Sequence, residues 1–230
     1  MNKNTPPLSV IFDLDGTLVE SAPDLAATAN ELLRRRGRDE VSLDQIRHMV
    51  GKGARALMSE AMKATGEEAT TQELDEMLRE FLQYYGAHIA DSSHTFPGAI
   101  ETLEQLKSEG CLLAVCTNKF EGLSRKLLEA LSVLHYFDDV VGSDTLFVRK
   151  PNPGHILGTL ERIGGTPENA VMIGDSANDI DAAKAANVKS VAVTFGYTDK
   201  PAGELGADAV ISKFPDLIPQ LEILTGRMLY

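Results

Sequence analysis

Two carboxylates one residue apart, Asp13 and Asp15, end an apolar run and are followed at once by Gly16 and Thr17. Glycine lets the chain turn sharply and threonine adds a hydroxyl donor, so two acids and a donor share one small space. Taken alone, the pair reads equally well as turn formers, because Asp commonly bonds its own backbone in loops. A calcium loop of the EF-hand type fits poorly: it needs a third oxygen ligand where Gly16 or Thr17 stands and a glycine one place later.

Three more polar clusters bear on the choice: Thr117-Asn118-Lys119, Lys150-Pro151 and Gly174-Asp175-Ser176-Ala177-Asn178-Asp179. Each has an ordinary reading, respectively a polar loop, a solvated surface lysine and a helix N-cap. Pro151, however, restricts the backbone before it and favours a fixed direction for Lys150. Asp175 and Asp179 stand four apart at a helix start and face the same way. Brought to one place, these residues match a chemistry. Carboxylates that repel one another call for a hard cation, and Mg²⁺ suits a site with few protein oxygens plus water and phosphate. With Lys150 it would neutralise phosphate oxygens against an attacking carboxylate. Asp13 is then a candidate nucleophile, forming an aspartyl-phosphate, and Asp15 a candidate proton donor to the leaving alcohol and acceptor from water.

The elements that must position them follow from hydrophobic periodicity. Residues 8–12 are short, apolar and without a helical period, which suits a strand buried on both faces of a parallel sheet. Helical spacing then runs from Leu25 to a stop at Gly37, with Pro23 in the first turn, and continues at about residues 43–49, 54–64 and 71–85. From Phe96-Pro97-Gly98 onward, helices alternate with apolar runs at 112–116, 140–141, 170–173, 190–193 and 209–211, before a closing helix near 217–224. Each polar cluster stands after one of these runs. The pattern predicts an α/β fold, a Rossmann-like doubly wound parallel sheet with an inserted all-helical cap domain. Residues 1–20 and 95–230 would make the core and 21–94 the cap, joined near 18–21 and 92–97. A cover that starts just after the acid pair would exclude water and supply selectivity.

Composition narrows the class. With 230 residues and 43% apolar content the chain can bury a real core. A formal charge of -12 repels nucleic acid and other polyanions, so a phosphorylated substrate needs local cations. Neither a membrane-length apolar run nor a signal-peptide core is present, and the expected setting is cytoplasmic, with no membrane partner. Cys111 and Cys116 flank a strand too long for a disulfide between them, which fits a reducing compartment.

Phe12-Asp13-Leu14-Asp15-Gly16-Thr17-Leu18, Val115-Cys116-Thr117-Asn118, Lys150-Pro151 and Gly174-Asp175 with Asp179 resemble, in order, the four motifs of the haloacid dehalogenase superfamily of phosphohydrolases. That resemblance covers nearly the whole chain. It implies Asp13 as nucleophile, Asp15 as acid/base, and Mg²⁺ held by Asp13, the Asp15 backbone carbonyl and Asp175, with Asp179 assisting. It also implies Thr117 and Lys150 on the transferring phosphoryl group, with Asn118 alongside. Within the superfamily the chain is most similar to phosphoglycolate phosphatases, through Thr117-Asn118-Lys119 and Val50-Gly51-Lys52-Gly53. Lys52 and Arg55 are then candidates for the carboxylate of a small phosphorylated metabolite, or else ordinary exposed cations at a helix start. One departure is Asn187, where related sequences often place Gly; Asn is the next-best residue for a left-handed cap. Broader sugar-phosphate or nucleotide phosphatases and a phosphomutase remain alternatives. A receiver-type phospho-accepting domain would carry its acid after a middle strand and no helical insertion. A catalytically silent relative would be expected to lose Asp13 or Asp15, and dehalogenation needs neither Asp15 nor a metal-binding acid cluster.

Overall fold

Val10, Ile11 and Phe12 are all sealed from solvent, as a strand covered on both faces requires. The computed structural model describes residues 6–198 and 200–229. In it this segment is β1 (Ser9–Phe12), the centre of a six-stranded sheet. The other strands are β4 (Leu112–Cys116), β5 (Asp139–Val141), β6 (Ala170–Gly174), β7 (Lys189–Val193) and β8 (Ala209–Ile211). All pairings are parallel, in the order β5-β4-β1-β6-β7-β8. Alternate residues of β1 serve opposite layers. Ile11 packs with Ile156, Leu160 and Ala183 of α7 (Pro153–Ile163) and α8 (Ala177–Ala185). Val10 and Phe12 belong to the other layer, with α5 (Ala99–Ser108), α6 (Glu121–Ala130) and α9 (Leu217–Thr225). The fold is therefore the doubly wound α/β arrangement expected.

Between the first strand and α5 the chain makes α1 (Ala22–Arg35), α2 (Leu43–Met49), α3 (Ala54–Ala64) and α4 (Thr71–Ala87). Local chemistry sets their starts: Ser42 with Gln45, and Thr70 with Glu73, form reciprocal capping boxes. Gly37 adopts φ +66° just past α1. The four helices share a core that includes Leu32, Leu33, Ile46, Met58, Phe81 and Tyr85, each worth about 1.5–3 kcal/mol of burial. Two short strands not foreseen, β2 (Val19–Glu20) and β3 (His94–Thr95), pair antiparallel as the stem of this helical insertion. Two residues each carry no readable period, which is why sequence reasoning missed them. Asn187 takes φ +55°, the left-handed conformation expected of it after α8. Both cysteines are free and buried. Among the described residues no helix is long and apolar enough to cross a membrane.

Candidate active site

The sheet order puts the carboxyl ends of β1 and β6 side by side, at the point where successive connections leave in opposite directions. A crevice opens there in doubly wound sheets. Asp13 leaves β1 with its N–H donating to the Ile173 carbonyl at 2.9 Å, and Asp175 follows Gly174 at the end of β6. A side chain at Gly174 would collide with Asp179, so glycine is what lets α8 start this close. Asp179 is anchored in the first turn of α8, its Oδ2 accepting the Ser176 N–H (3.0 Å) and hydroxyl (2.7 Å). Lys150 reaches over from the loop before α7. Its Nζ lies 3.0 Å from Asp13 Oδ1 and 2.6 Å from Asp179 Oδ1, and donates to the Cys116 carbonyl at 2.5 Å. Asp175 accepts the Tyr197 N–H at 2.6 Å.

All four side chains are buried, and the electrostatics follow from that. Burial pushes the Asp13 carboxyl up to about 6, with Lys150 pulling the other way. Burial, then the neighbouring Asp179 and Asp13, raises Asp175 well above the usual carboxylate range. For Lys150 burial opposes the charge, but Asp13 and Asp179 outweigh it and hold its pKa above the ordinary value. Three carboxylates against one ammonium leave an excess of negative charge away from water. Oxygens of Asp13, Asp175 and Asp179 lie within 4.8 Å of one another, and such an all-oxygen set fits a hard cation.

Asp15 sits beside this cluster in a different setting. Ser21 Oγ donates to its Oδ1 at 2.5 Å, and Lys119 Nζ lies 3.0 and 3.1 Å from its two oxygens. Lys119 also meets Tyr85 of α4, donating to the phenolic oxygen at 2.9 Å with its Nζ 4.4 Å from the ring centroid. Burial works against the Lys119 charge, yet Asp15 and Tyr85 keep its pKa raised. The same burial pushes the Tyr85 phenol up to about 12. Thr117 Oγ1 accepts the Lys119 N–H at 3.2 Å, which leaves its own proton to donate into the site.

Above lies a cavity of about 340 Å³. Asp13, Asp15, Thr117 and Lys150 are on its floor; Leu57, Leu74, Leu78 and Phe81, from α3 and α4, make much of its roof. The loop 50–53 docks on the floor through the Gly51 carbonyl, which accepts from Asn118 Nδ2 (3.0 Å) and Asn178 Nδ2 (3.3 Å). Gly51 and Gly53 hold φ of +96° and +92°, so this loop suits glycine at both places. Asn118 also donates to the Lys150 carbonyl at 3.0 Å, so both its amide hydrogens brace the site. The two roof cations differ. Lys52 lines the cavity with no acidic partner among the described residues, whereas Arg55, which also lines it, pairs with Asp75.

The structure thus gathers Asp13, Asp15, Thr117, Asn118, Lys150, Asp175 and Asp179 at one sheet edge, with Lys52 and Arg55 across the cavity. Sequence reasoning quoted Lys119 without assigning it, and passed over Ser21, Tyr85, Arg149 and Tyr197. Lys119 and Tyr197 follow strands at the same edge, a signal that could have found them. Tyr85 meets the site from the helix expected over 71–85, to which no role at the site was given.

The chain is similar to known proteins over most of its length. The family model described as haloacid dehalogenase-like hydrolase matches residues 10–193. A phosphoglycolate phosphatase of Agrobacterium fabrum is 45% identical over 217 residues, 94% of this chain and 93% of that protein. One from Caulobacter vibrioides is 42% identical, over 91% and 88% of the two chains. Among solved structures, a predicted phosphoglycolate phosphatase from Haemophilus somnus superposes with a TM-score of 0.87 at 33% identity, covering 94% of this chain and 99% of the other. With its motifs at one edge of a doubly wound sheet, the chain belongs to the haloacid dehalogenase-like hydrolases.

Proposed function

We propose that the protein is a Mg²⁺-dependent phosphomonoesterase that works through an aspartyl-phosphate and hydrolyses 2-phosphoglycolate to glycolate and phosphate. The observation that carries this reading is Asp13, poised 3.0 Å from Lys150 on the floor of the cavity and within a carboxylate cluster fit for a cation. Asp13, Asp175 and the Asp15 backbone carbonyl would hold Mg²⁺, with Asp179 fixing Lys150 at their side. When bound, the ion offsets charge on the phosphoryl oxygens. Lys150 and Thr117 orient the phosphoryl group. An Asp13 oxygen bonds to phosphorus as the bond to the ester oxygen breaks, and Asp15 gives that oxygen a proton. Asp15 then takes a proton from water, whose oxygen bonds to phosphorus while the bond to Asp13 breaks; phosphate leaves and the Asp13 carboxylate is restored. Lys119 and Ser21 hold Asp15 in line.

Residues 21–94 act as a cap over the core of 1–20 and 95–230, and their apolar helices keep water from the site. Two relatives that bear the phosphoglycolate phosphatase name support the choice of substrate. So do two cations on the cavity wall with no acidic partner among the described residues, Lys52 and Arg149. Arg149 lies against the roof loop, its Nη1 3.7 Å from where a Cβ on Gly53 would stand. Lys52 and Arg149 together would take the carboxylate. The test is a phosphate-release panel with Mg²⁺ that spans phosphoglycolate, sugar phosphates and nucleotides. Release from phosphoglycolate, lost in Asp13→Asn, is expected; no release from any member would end the hydrolase reading.

A further inference from the structure

Tyr197 lies on the loop after β7, outside every motif, and is buried. Its backbone N–H holds Asp175. Its phenolic oxygen reaches the opposite way: it accepts the N–H of Ser21 at 2.8 Å and of Ala22 at 3.0 Å, and donates to Glu20 Oε1 at 2.8 Å. Those three residues are the outgoing connection from β2 into α1. The residue in the capping position of α1, Ser21, makes no side-chain cap, because its hydroxyl is turned to Asp15. An oxygen from far along the chain thus accepts two of the backbone N–H groups that the start of α1 leaves without an intrahelical partner. Two accepted bonds and one donated bond use that hydroxyl fully. Glu20 continues the chain of contacts to Arg47 on α2 at 3.4 Å.

One residue thus joins a cluster carboxylate to the hinge of the helical insertion, and frees Ser21 to orient Asp15. The packing is close on both sides, since a side chain at Gly16 would meet the Tyr197 ring and one at Gly196 would meet Asp175. We infer that Tyr197 is a positioning residue: its hydroxyl pins the outgoing hinge so that Ser21 stays on Asp15 and the insertion stays seated over Asp13. The kinetic part of this inference rests on the phosphatase reading; the hinge part does not.

Tyr197→Phe removes only the oxygen and keeps the ring and the N–H on Asp175. Amide exchange at Ser21 and Ala22 should quicken about tenfold, the scale of one lost hydrogen bond, while β1 and β6 stay as protected as before. Mg²⁺ affinity, read by calorimetry, should change less than about twofold, because Asp175 keeps its donor. With whichever phosphomonoester the wild type turns over, kcat should fall about tenfold, and Ser21→Ala should reproduce that loss without quickening exchange at Ala22. Unchanged exchange at Ser21 and Ala22, a uniform loss of protection, or wild-type kcat despite a loosened hinge would each overturn the inference. Should the phenylalanine variant not fold, Glu20→Ala withdraws the acceptor that orients the hydroxyl. It should give the same local signature in smaller size, and its absence there would equally overturn the inference. If the wild type hydrolyses no phosphomonoester, the phosphatase reading fails, and the exchange result still decides the hinge.

Discussion

The floor and the roof of the cavity are built on opposite plans. On the floor almost every charged group is buried and partnered, Lys150 between Asp13 and Asp179, Asp15 between Lys119 and Ser21. The roof is leucine and phenylalanine, with Lys52 unpaired among the described residues and Arg55 turned to Asp75 on its own side. Fixed, desolvated charges are what bond making and breaking require, because they act without reorganising. A mainly apolar roof instead excludes water and selects by shape. If this contrast is functional, damage to the floor should fall on kcat and damage to the roof on KM.

The largest effect belongs to the proposed nucleophile. Asp13→Asn should lower phosphate release about 10⁴-fold or more while leaving the fold intact, since it is nearly isosteric. Retained turnover would remove the floor from the chemistry altogether. Next is Lys119→Met, which leaves Asp15 held by Ser21 alone. General acid–base catalysis is worth about 10²–10⁴-fold, and losing alignment should cost about 10²-fold in kcat with KM nearly unchanged. A purely KM effect would instead make Lys119 a binding residue and blur the division.

The same division explains what was legible in the sequence. Asp13, Asp15, Lys150, Asp175 and Asp179 could be read because a strand end and a hard-cation site constrain residue type and spacing together. Helices α2 and α3 were read to the residue from period alone. Asn118 was legible as a member of the site but not as a brace, because its partners are the carbonyls of Gly51 and Lys150, which any sequence supplies. Tyr85 and Tyr197 were illegible for a related reason: each acts through one hydroxyl at the end of a side chain that otherwise reads as packing. Strands β2 and β3 owe their existence to pairing across the insertion, a long-range event without a local signature.

On the roof the expected effects are smaller and depend on substrate. Lys52→Met with Arg149→Met should raise KM for phosphoglycolate about tenfold, the scale of a lost charged hydrogen bond, and leave KM for ethyl phosphate nearly unchanged. Arg55→Ala should do little to either KM, because Arg55 and Asp75 make a half-exposed ion pair worth at most about 1 kcal/mol of stability. Should Arg55→Ala alone abolish carboxylate preference, the assignment of Arg149 in its place would fail.

The smallest expected effect separates floor from roof without any substrate. In metal-free protein the Asp13 carboxyl is raised to about 6 by burial, from an ordinary 3.8. Between those values the folded state binds more protons than the unfolded chain, so this group's stability contribution is present at low pH and is lost as pH rises through about 6. Asp175, also raised, acts in the same sense. His155 opposes them: buried against the Gly142 carbonyl and held down at about 4, it makes acidification below its unfolded value destabilising. The difference between wild type and Asp13→Asn cancels the His155 part. Urea unfolding in EDTA should therefore show wild type gaining about 1 kcal/mol relative to Asp13→Asn as pH falls from about 7 to about 5. Saturating Mg²⁺ should erase that gain, because an ion on these oxygens favours their charged form. The same titration on Lys52→Met should follow wild type, since Lys52 is an exposed roof cation with no place in the carboxylate cluster. A Mg²⁺-independent gain would mean that the raised carboxylates are structural, and that the cation binds elsewhere.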